Sequence, residues 1–447
     1  MEISYYPRNI DHELISWSKD ETRKPLLLRG ARQVGKSSAV RELAKQFEYY
    51  IEINFEEQKQ VHSVFEGDLS PLGICEKLSV YYNVPIVPGK TLLFFDEIQA
   101  CLPAISSLRF FYEKYPELHV IAAGSLLEFA LKELASFGVG RVRSIFMFPF
   151  SFSEFLTALN EKLLLQSMKS ASPQLPLPEA IHKKLLEYFK KFLILGGMPE
   201  VVSHYIQNGD LRKCQQILDD LIISLRADFT KYKQQVPSLR IREVFESVAG
   251  SSGGRFTYSK AATESNLKQI KEALNLLTMA GLVIPVTHSS GNGLPLGAEI
   301  NPKVQKMLLF DTGIFQRILG LNIGELIISD DFDVINKGAI AELFTGLELQ
   351  KSASPYQQEE LYFWQRESRN SNAEVDYLIQ SGQDILPIEV KSGGRGSMQS
   401  LYLFMKEKKV KTGVRCSIEN FGQYDQIRII PLYAISNLRV TYPALPI

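Results

Sequence analysis

Short apolar runs and helix-period segments take turns along the first third of the chain. Pro25-Leu26-Leu27-Leu28, Tyr50 to Phe55, Thr91 to Phe95 (TLLFF) and His119 to Ala123 (HVIAA) are such runs. The last two show no polar alternation, which suits parallel strands buried on both faces. Between the runs, Ser38 to Phe47, Ile74 to Tyr82 and Ser106 to Tyr115 space their apolar residues as helices do, and Pro85 to Gly89 make a turn. This alternation over residues 20 to 155 predicts an α/β region on a parallel sheet.

The pattern then changes. Residues 156 to 180 contain QSMKSASPQLPLPEA, polar and proline-bearing, which reads as a boundary or surface excursion. Ala180 to Leu195 and Asp210 to Tyr232 are helical by period, with a break at Gly196-Gly197-Met198-Pro199, and predict a helical lid. Ile241 to Ala249 and Leu267 to Ala280 are amphipathic, a strand starts at Leu282 to Val286, and Ser289 to Gly297 is a glycine-rich hairpin tip. Two helices and a hairpin suggest a winged helix. Its second helix, SNLKQIKEALNLLTM, carries only two lysines and no arginine, so packing or partner binding is favoured over base readout. A fresh α/β pattern follows. The expected division is 1–155 for the parallel-sheet domain, 156–235 for the helical lid or linker, 236–328 for the winged helix and 329–447 for a C-terminal α/β domain.

Composition narrows the class. A chain of 447 residues has room for about three cores, and 45% hydrophobic with 22% charged residues is ordinary for a soluble globular protein. Fifty basic residues balance fifty acidic ones, so any affinity for nucleic acid must come from a local patch. Cys75, Cys101, Cys214 and Cys416 are scattered without a C-x-x-C pair, which argues against a disulfide framework and a zinc site. The polar start MEISYYPRNIDHEL and the lack of any long apolar stretch predict a cytoplasmic protein with no membrane span.

Candidate chemistry sits where the strands end. Gly30-Ala31-Arg32-Gln33-Val34-Gly35-Lys36-Ser37 spell G-x-x-x-x-G-K-S between a strand and a helix. The glycines let backbone N–H groups approach a phosphate, with Ser38 continuing the turn into the helix. That helix adds positive potential at its start, Lys36 reaches the β/γ-phosphates and Ser37 offers a hydroxyl to Mg²⁺. TLLFF ends in Asp96-Glu97, at the strand end where open α/β sheets bind their ligands. Asp96 is expected to hold Mg²⁺ and Glu97 to polarise the attacking water. ATP hydrolysis is therefore the expected activity. Ser125, after HVIAA, either senses the γ-phosphate or caps the following helix.

A second constellation lies near the C-terminus. Glu374-Val375-Asp376-Tyr377-Leu378-Ile379 and Ile385-Leu386-Pro387-Ile388-Glu389-Val390-Lys391 read as hairpin strands, with Glu389 and Lys391 on one face. Asp376 and Glu389 are candidate ligands for a divalent metal, with Lys391 assisting attack on a phosphodiester. Glu342, in the helix Lys337 to Leu349, is placed to add a third acid. Residues 391 to 415 hold seven Lys or Arg against the single acid Glu407, a patch suited to a phosphate backbone.

The first half resembles the AAA-type P-loop ATPases of the archaeal and signal-transduction-related clade. The matching pieces are Tyr6-Pro7-Arg8, the phosphate loop, Asn54-Phe55-Glu56-Glu57, LLFFDEIQ, SLRFFYE, Ala123-Gly124-Ser125 and FPFSFSEFL. Gly196-Gly197-Met198-Pro199-Glu200 and Phe310-Asp311-Thr312-Gly313 continue the resemblance. It implies a C-terminal winged helix followed by a restriction-endonuclease-like α/β domain, whose acid–acid–E-x-K signature maps onto Glu342, Asp376, Glu389 and Lys391. On this resemblance, ATP with Mg²⁺ controls a nuclease-like, DNA-directed domain; the alternative is a regulatory switch whose C-terminal domain only docks nucleic acid or protein. Such ATPases often place an arginine at a neighbour's γ-phosphate, which implies a homo-oligomer. Arg141 and Arg143 are the candidates, and arginines on a surface turn are the other reading.

Overall fold

Five strands make the sheet that the alternation predicts: β1 (Leu26–Arg29), β2 (Tyr49–Asn54), β3 (Thr91–Asp96), β4 (His119–Ala123) and β5 (Arg143–Phe146). All pair in parallel in the order β2-β3-β4-β1-β5. The computed structural model describes residues 5–133, 138, 140–232, 236–261, 266–322, 337–367, 372–393 and 397–440. By contacts the chain divides into two units, one of residues 1–149 with the short segments 279–281 and 354–358, the other of the remainder.

In the first unit β3 and β4 are buried at every position, as their unbroken apolar runs demand. The helices Pro71–Tyr82 and Leu102–Lys114 each carry proline in their first two positions, where a missing N–H costs nothing. Leu78, Leu108 and Phe111 from these helices join Ile53, Phe55, Phe65 and Phe95 in one core. Phe95 meets Phe55 and Phe65 edge-on at centroid distances of 5.9 and 5.6 Å. This packing fixes the carboxyl end of β3, the strand that ends in Asp96.

The second unit is built on one sheet. Its strands are β6 (Val283–Ser289), β7 (Ile300–Leu309), β8 (Leu361–Gln365), β9 (Glu374–Ser381), β10 (Asp384–Val390), β11 (Gly413–Ser417), β12 (Gly422–Tyr424) and β13 (Ile427–Pro431). They form one sheet, ordered β12-β13-β11-β10-β9-β8-β6-β7. In the hairpin β6/β7 expected to be the wing, β6 pairs in parallel with β8, so one sheet takes strands from both sides of the line expected at 328/329, which itself lies outside the described residues. The helical stretch adds a helix that the periodicity missed, Pro199–Asn208, between Glu179–Leu195 and Leu211–Asp228. Proline after the glycine break starts it rather than merely ending its predecessor. The hairpin β9/β10 is antiparallel as expected, with Tyr377 opposite Ile388. No helix among the described residues is long and apolar enough to cross a membrane.

Candidate functional site

The order β2-β3-β4-β1-β5 puts the ends of β1, β3 and β4 side by side, and the phosphate loop, Asp96-Glu97 and Ser125 follow those three ends directly. Gly30 at φ 144°, Gln33 at 63° and Gly35 at 98° give the loop the left-handed residues that turn successive N–H groups inward. A Cβ on Gly30 would lie 2.1 Å from the Met147 carbonyl oxygen, so only glycine fits there. Gly35 then caps the helix Lys36–Ala44, and Ser38, its third residue, is exposed. The Val34 carbonyl accepts a 3.1 Å bond from the Arg8 guanidinium, which also donates to the Phe148 carbonyl at 2.7 Å. Arg8 thus braces the loop from outside. Arg32 lies 3.7 Å from Glu56.

Lys36 is buried and its Nζ donates to the Gly30 and Ala31 carbonyls at 3.0 and 2.8 Å. Burial lowers its pKa to about 8, against the pull of the Glu97 and Asp96 carboxylates. The Ser37 hydroxyl donates to Asp96 Oδ2 at 2.8 Å, so the expected Mg²⁺ ligands already touch. Burial raises the Asp96 carboxyl above its usual range, and the Ser37 bond opposes that rise. A divalent ion entering between this hydroxyl and carboxylate finds hard oxygen donors.

Glu97 sits at φ 47°, a strained conformation for a residue with a side chain. Its Oε2 accepts from Gln99 Nε2 at 2.6 Å and lies 3.4 Å from the Ser125 hydroxyl. The structure therefore brings Ser125 to Glu97. Gln99 is the residue sequence reasoning passed over, although the quoted DEIQ contains it. Its Oε1 would meet a Cβ on Gly124 at 2.1 Å, so Gly124 is small to admit it.

Arg141 and Arg143 stand elsewhere. Arg143 pairs in register with Leu26, at the start of β1 and opposite the loop end. Its guanidinium is 3.4 Å from Asp20, and Arg141 Nε donates to Glu113 at 2.6 Å. On this chain neither is brought to its own phosphate loop.

In the second unit Asp376 on β9, Glu389 on β10 and Glu342 on the helix Lys337–Lys351 do converge, but not on an open metal position. Among the described residues no group of three or more His, Cys, Asp or Glu could hold a metal ion. The reason is Lys306 of β7, buried to 1% exposure, whose Nζ lies 2.7 Å from Glu342 Oε1 and 3.6 Å from Asp376 Oδ1 and pairs with Glu374. Its ammonium also lies over the Phe363 ring, 5.0 Å from the centroid. Asp376 Oδ2 accepts the Val390 N–H at 2.7 Å, and Lys391 Nζ donates to Glu389 Oε1 at 2.6 Å. Burial pushes the Glu342 and Glu389 carboxyls up to about 7; Lys306 opposes the rise at Glu342, and Asp376 adds to it at Glu389. Burial works against the Lys306 charge, yet Glu342, Asp376 and Glu374 outweigh it and raise its pKa. Sequence reasoning missed Lys306 because a lysine in INPKVQKMLL looks like an outward residue of an edge strand.

The expected basic patch is thinner than its composition. Arg415 is buried against Gly393 and Glu419, Lys391 is paired, and Arg395 lies outside the described residues. Lys406, Lys409 and Lys411 are exposed on and after the helix Gln399–Lys408.

Comparison with known proteins agrees with the first unit. Residues 22–156 match the AAA domain family, residues 186–324 a domain of unknown function, DUF8612, and residues 337–435 a second one, DUF4143. No curated protein matches the chain. Among solved structures it is similar to a Walker-type ATPase of Pyrococcus abyssi, at 16% identity over 70% of this chain and 96% of that one, with a TM-score of 0.45. It is also similar to the Aeropyrum pernix ORC1 protein in complex with DNA, at 12% identity over 73% and 96% of the two chains and a TM-score of 0.31. A signal transduction ATPase with a tetratricopeptide repeat sensor from Pyrococcus horikoshii shares 11% identity over 79% of this chain and 46% of that one, with a TM-score of 0.26. With the glycine loop, the Ser37–Asp96 pair and the five-stranded parallel order in place, residues 22–156 are an AAA-type P-loop ATPase domain.

Proposed function

We propose that the protein binds and hydrolyses ATP at this loop and that its nucleotide state controls a DNA-directed, nuclease-like C-terminal region. The observation that carries the first half is the contact of Ser37 with Asp96 at 2.8 Å beside a Glu97 held by Gln99. The loop N–H groups and Lys36 bind the triphosphate, and Ser37 with Asp96 holds Mg²⁺, which when bound neutralises charge on the β- and γ-phosphates. Glu97 takes the proton of the attacking water, and Ser125 fixes where that carboxylate points.

Lys36 makes the binding step depend on pH. Its pKa of about 8 without nucleotide means that below pH 8 the ammonium is already present and ATP affinity is flat. Above pH 8 the site must take up a proton to meet the phosphates, so affinity falls by up to about tenfold per pH unit. Titration calorimetry at pH 8.5 in buffers of different ionisation enthalpy should report proton uptake on ATP binding. Binding without proton uptake would show that Lys36 keeps its ordinary pKa in the empty site.

For the C-terminal region, a helix bearing Glu342 and a three-stranded meander β8-β9-β10 ending in Glu389-Val390-Lys391 support the nuclease-like reading. The second reading, a docking module without catalysis, is favoured by the Lys306 ammonium already among the acids. Cleavage of plasmid and single-stranded DNA with Mn²⁺, with and without ATP, separates them. Metal-dependent nicking that Asp376→Ala removes supports the enzyme, and intact DNA under every condition leaves the docking module. A hydrolysis rate per chain that rises with protein concentration, and falls in Arg141→Ala, supports an arginine supplied in trans; a concentration-independent rate removes that role.

A further inference from the structure

Four carboxylates, from Glu342, Glu374, Asp376 and Glu389, gather in the second unit, and three of them surround one ammonium. A lysine ammonium has three N–H donors, and here three carboxylates stand round it. The arrangement is more than a surface ion pair. Lys306, Glu342 and Glu389 are all at least nine-tenths buried. Helix and sheet are pinned round the centre: the Tyr377 hydroxyl donates to the Glu342 carbonyl at 2.7 Å, and a Cβ on Gly346 would come within 2.5 Å of that hydroxyl. One acceptor is left over. Glu389 Oε2 is buried without a hydrogen-bond partner among the described residues, while Oε1 holds Lys391. A buried carboxylate oxygen left unpaired is costly, and it marks a position where a cation has a ligand waiting.

We propose that Lys306 is the resident cation of this centre, a tethered ammonium occupying the place of a divalent ion, and that removing its charge converts the four acids into a Mn²⁺ or Mg²⁺ site. The inference rests on the reading of Glu342, Asp376 and Glu389 as a ligand set, and it adds the residue that keeps the set closed. A divalent ion entering among Glu342, Glu374 and Asp376 would stand within a few ångströms of the Lys306 ammonium they already hold, and repulsion between the two there is poorly screened. The ammonium reaches the acids from β7, which lies at one edge of the sheet and is held by β6 with Lys306 opposite Val286. Closing the site therefore needs no bound partner. Without Lys306, the ion pair left to the four carboxylates among the described residues is that of Lys391 with Glu389, and hard oxygen ligands in that number suit a divalent ion.

The test is Mn²⁺ binding to the nucleotide-free full chain, followed by electron paramagnetic resonance and by the shift in thermal unfolding. The wild type should show no binding that Asp376→Asn changes. Lys306→Met, which keeps the side-chain bulk, should gain one Mn²⁺ per chain at least tenfold tighter than anything in the wild type. That binding should disappear in Lys306→Met with Asp376→Asn. Lys306→Arg keeps the charge and should stay closed. If Lys306→Met is unstable without metal, Mn²⁺ should raise its unfolding temperature and leave that of the wild type unmoved. Asp376-dependent Mn²⁺ binding by the wild type, or a folded Lys306→Met that gains none, overturns the assignment. DNA cleavage is read separately: a Mn²⁺-loaded Lys306→Met that cuts no DNA sinks the nuclease reading and leaves the cation assignment standing. Wild-type binding sinks the assignment and leaves the nuclease.

Discussion

Glu97→Gln should bind ATP like the native protein and hydrolyse it about 10²–10⁴-fold more slowly, the usual contribution of a positioned base. The amide keeps the size of the side chain and can still meet Gln99 and Ser125, which lie 2.6 and 3.4 Å from Glu97 Oε2, so the loop and the Ser37–Asp96 pair stay in place. What it lacks is the ability to accept a proton. Lys36→Ala should fail one step earlier. It deletes the buried ammonium that holds the Gly30 and Ala31 carbonyls and that the γ-phosphate would take over, and ATP should bind at least about 100-fold more weakly, some 3 kcal/mol. Equilibrium dialysis with labelled ATP and phosphate release on both variants separate binding from chemistry. Native turnover by Glu97→Gln would remove Glu97 as the base, and the neighbouring Asp96 would then have to be tested in its place.

The nucleotide half of the molecule was legible because its signals are local. A glycine loop needs its positive φ values within a few residues, and a doubly buried strand writes its burial into an unbroken apolar run, as TLLFF does. Asp96 and Glu97 follow from where that strand ends. Gln99 was harder to see, since a glutamine three residues past a strand carries no pattern, and its role depends on Gly124 lying against it. The C-terminal centre was legible only in part. Two apolar runs joined by the turn at Ser381 to Asp384 put Asp376 and Glu389 on neighbouring strands, and β9 and β10 do pair. Nothing in one strand's alternation tells that β7, nearly 70 residues before β9, supplies a lysine to the same point. The boundary expected at 328/329 lies outside the described residues, and the β6–β8 pairing that carries one sheet from one side of it to the other links residues far apart in the chain. Long-range pairing has no short-range signature.

Asp311→Ala should destabilise the second unit by about 3 kcal/mol or more, because it strands buried N–H groups. The two motifs Gly196-Gly197-Met198-Pro199 and Phe310-Asp311-Thr312-Gly313, over a hundred residues apart, turn out to be one joint. Asp311 is 1% exposed, and its Oδ2 accepts the Gly197 N–H at 2.6 Å while Oδ1 accepts the Ile314 N–H at 3.0 Å, capping the helix Thr312–Ile318. The glycines are there to let the backbones meet. A Cβ on Gly196 would stand 2.2 Å from Asp311 Oδ1, one on Gly313 2.4 Å from the Leu195 carbonyl oxygen, and one on Gly197 2.3 Å from that of Phe150. Phe150 in turn donates its N–H to the Gly197 carbonyl at 2.7 Å, so the start of the second unit is tied to the same point. Asp311→Asn keeps one good acceptor and should lose less than Asp311→Ala, whereas Gly197→Ala should cost about as much as Asp311→Ala by steric clash alone. Urea unfolding of the three variants should show lower midpoints at unchanged slope, with Asp311→Asn lowered least. An Asp311→Ala protein within about 0.5 kcal/mol of the native one, the usual range for an unimportant surface change, would mean that the joint does not hold the unit together.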